Sequence, residues 1–316
     1  MGRLQTVMTR AQFLRLAARA AGACAAGSVF CPGVALAADA PVLRRPIPSS
    51  GQMLPVIGTG TAVVYDIEAS DARFPVLVET VRTLLANGGA VIDTAPPYGR
   101  AEKSVGEILR RTGQREAAFV ATKISTSGEQ AGIESVAASM RDLGTGRFDL
   151  LQVHNLRDTR TQLRTIRSLM GEGKVRYCGI TTSNDRSYAE YESTMRREKL
   201  DFIQIDYALD NRKAEERILP LARDLGMAVL INLPFGRGRL FAKARGRPLP
   251  PWAAEFDCTS WAQFFLKFVL AHPAVTAVIP GTDKPEYALD NLNAARGRIP
   301  DARVRDDIIR YWDELA

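Results

Sequence analysis

The sequence predicts an α/β chain built as a (β/α)8 TIM barrel with an N-terminal β-hairpin. Three observations predict it. Short apolar, strand-like runs alternate with helix-period segments eight times between residues 56 and 295, the signature of right-handed strand–helix–strand units. No Pro/Ser/Gly-rich linker interrupts the series, so one closed parallel sheet accommodates it. No Gly-x-Gly-x-x-Gly follows the first strand, which argues against an open, doubly wound sheet.

The elements follow in order. Pro46-Ile47-Pro48-Ser49-Ser50-Gly51 to Leu54 reads as a small hairpin turning at Ser50-Gly51. The first unit pairs strand Val56–Thr59 with helix Phe74–Leu85, which stops at Gly88-Gly89 because glycine tolerates the backbone of a helix end. The second joins Ala90–Asp93 to Glu102–Arg111 through Pro96, Pro97 and Gly99, which force a turn. The next are Ala118–Lys123 with Gln130–Leu143, and Phe148–Val153 with Thr161–Met170. Val175–Ile180 pairs with Ser187–Arg197, and Phe202–Ile205 with Ala214–Leu225. Ala228–Ile231 reaches its helix, Ser260–Leu270, only after the long loop Pro234–Asp257, a lid or a disordered excursion. Val275–Ile279 and Glu286–Ala295 complete the eighth unit.

Residues 1–40 read as a leader ahead of a barrel domain, residues 41–316. A basic start precedes the small apolar run Ala17 to Phe30, and Ala35-Leu36-Ala37 fits a signal peptidase site. Thr9-Arg10-Ala11-Gln12-Phe13-Leu14 resembles the twin-arginine export signature, with Ala11 in place of the second arginine. Export to the periplasm is the expectation; a cytoplasmic fate follows if the leader does not function. The apolar run is too short and alanine-rich for a membrane span.

Composition excludes several classes. The net charge is +7, but Arg3, Arg10, Arg15 and Arg19 against Asp39 place +3 of it in the leader. The remaining +4 is scattered apart from the loop Arg237 to Arg247, which does not make a nucleic-acid surface. Four cysteines, Cys24, Cys31, Cys178 and Cys258, offer neither metal spacing nor a disulfide framework. The last two read as inert packing thiols.

Four polar residues fall at the carboxyl ends of the second, third and fourth strands, where barrels build their sites. They are Asp93 and Tyr98, then Lys123, then His154. A free phenol titrates near pH 10. A lysine beside it would favour the phenolate and make Tyr98 a better acid. Tyr98 would hand its proton to a developing alkoxide, Lys123 would lower the phenol's pKa, and Asp93 would keep Lys123 charged. Neutral His154 would hydrogen-bond the carbonyl oxygen. Singly, each residue has a plainer role: Asp93 as a helix cap, Tyr98 as a turn aromatic, Lys123 as a strand-end charge. His154 and His272 are the only histidines, and His272, in Ala-His-Pro at a helix end, reads as a cap. All four residues in order at three consecutive strand ends argue for chemistry.

Asp93-Thr94-Ala95-Pro96-Pro97-Tyr98-Gly99, Thr122-Lys123 and Leu151-Gln152-Val153-His154 resemble the signature motifs of the aldo-keto reductase family. So do Pro48-Ser49-Ser50-Gly51 and Leu54-Pro55-Val56-Ile57-Gly58 at the start of the barrel. The resemblance spans essentially residues 46–300. It implies a barrel reductase using NADP, or NAD, to reduce a small-molecule carbonyl.

Further positions carry over from the family. Gly60-Thr61 would lie beside the nicotinamide ribose. Thr181 and Thr182 stand where the family has Ser-Asn holding the carboxamide, with Ser183-Asn184 two places on, and Gln204 matches the other carboxamide partner. Asn232-Leu233-Pro234-Phe235-Gly236 replaces a Tyr-Ser-Pro-Leu-Gly segment, so Asn232, Pro234 and Phe235 would stand at the nicotinamide, with the tyrosine stack lost or supplied by another ring. Gly281-Thr282 and Asp290-Asn291 resemble segments that hold the diphosphate and adenosine. Tyr287 occupies the place of the arginine that grips the 2′-phosphate, with Lys284 the nearby cation.

Two other readings stay open: a weakly catalytic nucleotide-binding or redox-sensing module, and a lyase or epimerase using the same phenol. For the substrate pocket, Tyr65 could form a wall or decorate the surface, and Trp252 and Trp261 could cap the site or pack beneath it. Oligomeric state leaves no trace in the sequence.

Overall fold

A computed structural model describes residues 40–315. The leader features, with Cys24 and Cys31, lie outside the described residues apart from Ala40. Within the described residues, strands β1 (Arg44–Pro46) and β2 (Met53–Pro55) form an antiparallel hairpin. The barrel strands are β3 (Thr59–Gly60), β4 (Val91–Asp93), β5 (Phe119–Ile124) and β6 (Phe148–His154), then β7 (Val175–Thr181), β8 (Phe202–Asp206), β9 (Ala228–Asn232) and β10 (Ala277–Val278). They pair in parallel, each with its neighbour in the chain. Parallel bridges Ile57–Val278 and Gly60–Gly281 close the sheet into a barrel. β5 and β8 are buried along their whole length, as a sheet covered on both faces requires.

The outer ring holds α1 (Phe74–Ala86), α2 (Ala101–Thr112), α3 (Glu129–Leu143) and α4 (Thr159–Gly171), then α5 (Tyr188–Arg197), α6 (Ile218–Asp224), α7 (Arg239–Ala244), α8 (Trp261–Leu270), α9 (Pro285–Asn293) and α10 (Ala302–Glu314). Their apolar faces meet the outside of the sheet in one large core. A second core fills the barrel and includes Phe119, Tyr177 and Phe202, whose rings touch. Ile47 and Leu54 of the hairpin belong to that inner core. Tyr177 donates its hydroxyl to Gln52 Oε1 at 2.9 Å, tying the hairpin on. The hairpin thus covers the inner core at the amino-terminal end, and the carboxyl-terminal mouth holds a cavity.

Several expectations shift. The hairpin begins at Arg44, and the ladders of the first and last barrel strands are shorter than the apolar runs that predicted them. The helix expected over Ala214–Leu225 is a 3-10 turn, Lys213–Glu215, followed by α6. Pro220 explains the break: its ring excludes the carbonyl four residues earlier, so it fits only in a helix's first turn. The loop Pro234–Asp257 is a folded segment and not a disordered excursion. It folds as 3-10 turns Gly236–Gly238 and Pro251–Phe256 around α7. Trp252 packs on Phe264 and Tyr311, and Trp261 on Phe265 and Trp312, so neither caps the mouth. α10 was not anticipated; it docks through buried Ile308 and Trp312. Tyr65 is fully buried, its hydroxyl donating to Thr282 O. Cys178 lies within β7, and it and Cys258 are buried free thiols that burial pushes up to about 11 and about 12. Among the described residues no helix is long and apolar enough to cross a membrane.

Candidate active site

The mouth holds a cavity of about 910 Å³ lined by Asp93, Tyr98, Ser125 and His154 among others, within the usual range for small-molecule sites. Register brings its walls together. Asp93 pairs with Ala121, Lys123 with Gln152, and His154 with Thr181. Lys123 is 1% exposed. Its ammonium donates to Asp93 Oδ1 at 2.7 Å and to the Thr94 carbonyl at 2.8 Å. It also lies 5.1 Å from the centroid of the Tyr98 ring. Tyr98 meets the His154 ring edge to face, centroids 5.9 Å apart.

The turn that carries Tyr98 is pinned from outside the motif. Gly99 has φ +63°, and a Cβ there would fall 2.3 Å from the carboxyl of Asp66. Asp66 Oδ1 instead accepts the Arg100 amide at 2.8 Å. Glycine is therefore needed twice over, for its dihedral and for its missing side chain. Nothing in the sequence near Asp66 signals this contact.

Two amides extend the pair. Gln204 Nε2 donates to Asp93 Oδ1 at 3.3 Å, and Gln204 Oε1 accepts from Gln152 Nε2 at 2.8 Å. Gln152 was not singled out from the sequence. Its signal was there, an amide in the middle of the apolar run Leu150-Leu151-Gln152-Val153.

Burial acts on all four groups. It would drive Lys123 down, but Asp93 and Tyr98 outweigh it and hold the ammonium above its ordinary value. Burial pushes the Asp93 carboxyl up, opposed by Lys123 and Gln204. These shifts pull the pair in opposite senses. The 2.7 Å contact and the raised ammonium favour the ionised pair. His154 is brought down to about 4 by burial and then by the Lys123 charge, so the ring is neutral near pH 7.

Tyr98 departs from expectation. Lys123 does pull its pKa down, by charge and hydrogen bonding, but burial pushes it up more strongly and the Asp93 charge adds to the rise. The net direction is upward. Desolvation of a phenolate in this cavity, together with the carboxylate that opposes the ammonium, decides the sign. The resting phenol keeps its proton.

The nucleotide positions divide. Gly60, Thr61, Thr181, Gln204, Asn232, Pro234, Phe235 and Gly281 line the cavity. Gly60 and Gly281 form a bare backbone seam, where a Cβ on Gly60 would come 3.0 Å from Ile279 O. Asn232 Oδ1 is buried without a partner. Phe235 is braced by Phe241 and Phe265. Thr182, Thr282, Asp290 and Asn291 do not line it. Thr182 follows the last residue of β7, and its Oγ1 accepts from Asn184 N, while Ser183 reaches the cavity. Asn291 Nδ2 donates to Thr282 Oγ1 at 3.1 Å. Asp290 accepts from Ser260 Oγ at 2.7 Å and Gln263 Nε2 at 2.6 Å. Lys284 stands over the half-exposed ring of Tyr287.

Known proteins resemble this chain in sequence and fold. A model of the aldo/keto reductase family matches residues 56–307. Aldo-keto reductase str7 of Strobilurus tenacellus is 27% identical over 280 residues, 75% of this chain and 80% of its own length. The NADH-specific methylglyoxal reductase of Escherichia coli (strain K12) is 24% identical over 303 residues, 78% of this chain and 89% of its own. Among solved structures, an aldo-keto reductase from Klebsiella pneumoniae in complex with NADPH superimposes with a TM-score of 0.72 at 22% identity, covering 85% of this chain and 95% of that one.

Proposed function

Because this chain belongs to the aldo/keto reductase family, we propose that it reduces an aldehyde or ketone to an alcohol, with Tyr98 as the general acid. The observation that carries the reading is the buried Lys123–Asp93 pair at 2.7 Å beside the Tyr98 ring. A buried ammonium held charged under a protonated phenol serves one purpose well: it stabilises negative charge as the phenol gives up its proton.

Reduced nicotinamide, when bound, supplies the hydride. The cavity suits it through the side-chain-free seam at Gly60 and Gly281 and the unpartnered Asn232 Oδ1. Thr61, Thr181 and Gln204 line the same wall and would hold its carboxamide end, with Pro234 and Phe235 bounding it. Thr282 and Asn291 would act by shaping the loop after β10, and Asp290 by anchoring α8. NADP is the proposed cofactor, as in the Klebsiella pneumoniae complex. The NADH-specific Escherichia coli relative and the Tyr287–Lys284 pair make NADH the necessary comparison.

The proton steps belong to this chain. His154, neutral, donates to the carbonyl oxygen and places it beside the Tyr98 hydroxyl. Tyr98 transfers its proton as oxygen gains charge. Lys123 compensates the phenolate so formed, and Asp93 keeps Lys123 protonated and in position.

The test is Tyr98→Phe against a panel of aldehydes, ketones and quinones with NADPH and NADH, followed by absorbance. Reduction should fall by about 10²–10⁴-fold, with nucleotide binding nearly unchanged. Full activity in this variant would remove Tyr98 from the chemistry. For residues 1–40 we propose export to the periplasm, on the basic start, the apolar run and Ala35-Leu36-Ala37. Amino-terminal sequencing of the protein from fractionated cells tests it. An intact Met1 in the cytoplasmic fraction refutes it.

A further inference from the structure

Ser125 follows β5 directly. Ile124 pairs with Val153 in the β5–β6 ladder, so the next position along sets Ser125 beside His154. Strand alternation puts Lys123 and Ser125 on one face, with Gln152 and His154 on the same face of the neighbouring strand. Ser125 Oγ lies 2.6 Å from His154 Nδ1, and both side chains line the cavity. The contact thus continues the β5–β6 register one residue beyond its last pair.

A neutral imidazole carries one N–H, and the hydrogen bond at one nitrogen determines what the other presents. If Nδ1 held the proton and donated it to Ser125, the serine would need another acceptor for its own hydrogen. Among the described residues, His154 is the hydrogen-bond partner found for the Ser125 side chain. If the serine donates to Nδ1, both hydrogens are placed: one on Nδ1's lone pair, the other on Nε2. Nε2, across the ring from that bond, makes no hydrogen bond among the described residues.

We propose that Ser125 is a positioning residue that holds His154 in its Nε2–H form, so that the ring offers the substrate oxygen a donor and not a lone pair. This rests on the carbonyl-reductase reading. Without the hydroxyl, the ring is free to take the Nδ1–H form, whose Nε2 lone pair repels a carbonyl oxygen. Ser125 therefore sets orientation for the reduction while touching neither hydride nor transferred proton.

The experiment uses the full chain with Ser125→Ala and Ser125→Thr. Long-range ¹⁵N–¹H spectra report the imidazole tautomer, and only His154 and His272 contribute; His154→Gln assigns the signals. The wild type should show His154 as Nε2–H. S125A should shift it toward Nδ1–H and lower kcat by roughly 10–100-fold, the scale known where metal-bound histidines lose their orienting partner, with nucleotide affinity unchanged. S125T keeps a hydroxyl and should restore both readouts. A wild-type Nδ1–H signal, or an S125A enzyme with unaltered tautomer and kcat, overturns the proposal. If the wild type reduces none of the carbonyls tried, the reductase reading fails, and the tautomer spectra of S125A still decide the part played by Ser125.

Discussion

Replacing Lys123 by methionine isolates the ion pair at the heart of the site. The ammonium is buried and spends its bonds on Asp93 Oδ1 at 2.7 Å and Thr94 O at 2.8 Å. Removing it strands a buried carboxylate, whose other hydrogen-bond donor among the described residues is Gln204 at 3.3 Å. Losing one member of a buried pair costs about 3–5 kcal/mol, whereas neutralising both members is close to neutral. Against a total stability of about 5–15 kcal/mol, K123M should melt on the order of 10 °C lower. The double variant Asp93→Asn with Lys123→Met should recover most of that loss, yet neither should reduce a carbonyl. The loss also has a pH sign. With Lys123 gone, burial alone raises the folded-state pKa of Asp93 above the unfolded value of about 3.9. A raised carboxyl contributes its stability below that pH and loses it as the pH rises, so K123M should approach the wild type near pH 4 and fall behind above it. Urea unfolding across this range measures each quantity. A single variant as stable as the double at pH 7, or one that retains reductase activity, would refute the reasoning.

Other expectations follow from the same geometry. His154 and His272 are both lowered to about 4, mainly by burial, so stability present above pH 6.5 should drain away as the pH falls toward 4, by about 1–2 kcal/mol for each. His272→Gln, which leaves the cavity intact, should flatten the acid limb by one such increment; an unchanged limb speaks against a neutral buried ring. Gly58→Ala would place a Cβ 2.5 Å from both Cβ and O of Val91, so at least about 2 kcal/mol should be lost, and a wild-type melting curve would mean the β3–β4 seam can spread. Asp290→Ala should lower stability by about 1–3 kcal/mol through Ser260 and Gln263 and leave nucleotide affinity alone; a large drop in affinity at unchanged stability would place Asp290 on the cofactor instead.

The barrel was legible because its signals are local. Strands covered on both faces must be apolar throughout, as in Phe119-Val120-Ala121 and Leu150-Leu151. Helices around them must carry an apolar stripe. Pro96, Pro97 and Gly99 advertise the turn after β4 for the same reason: dihedral limits act within a few residues. Elements outside the pattern were lost. α10 follows the eighth unit without a strand to announce it, and the composition of residues 234–257 resembled a loose loop although α7 and two 3-10 turns organise it.

The amino-acid order alone determined the eight-fold alternation and the placement of Asp93, Tyr98, Lys123 and His154 at consecutive strand ends. Tertiary structure decided what those residues feel and touch. Whether Thr181 or Thr182 faces the cavity depends on how the chain leaves β7. The bonds Ser125–His154 and Gln152–Gln204 depend on register between strands 29 and 52 residues apart in sequence. The sign of the Tyr98 shift depends on burial, which is set by every wall of the cavity at once. Periodicity is a property of neighbours along the chain; distance and desolvation are properties of the closed barrel.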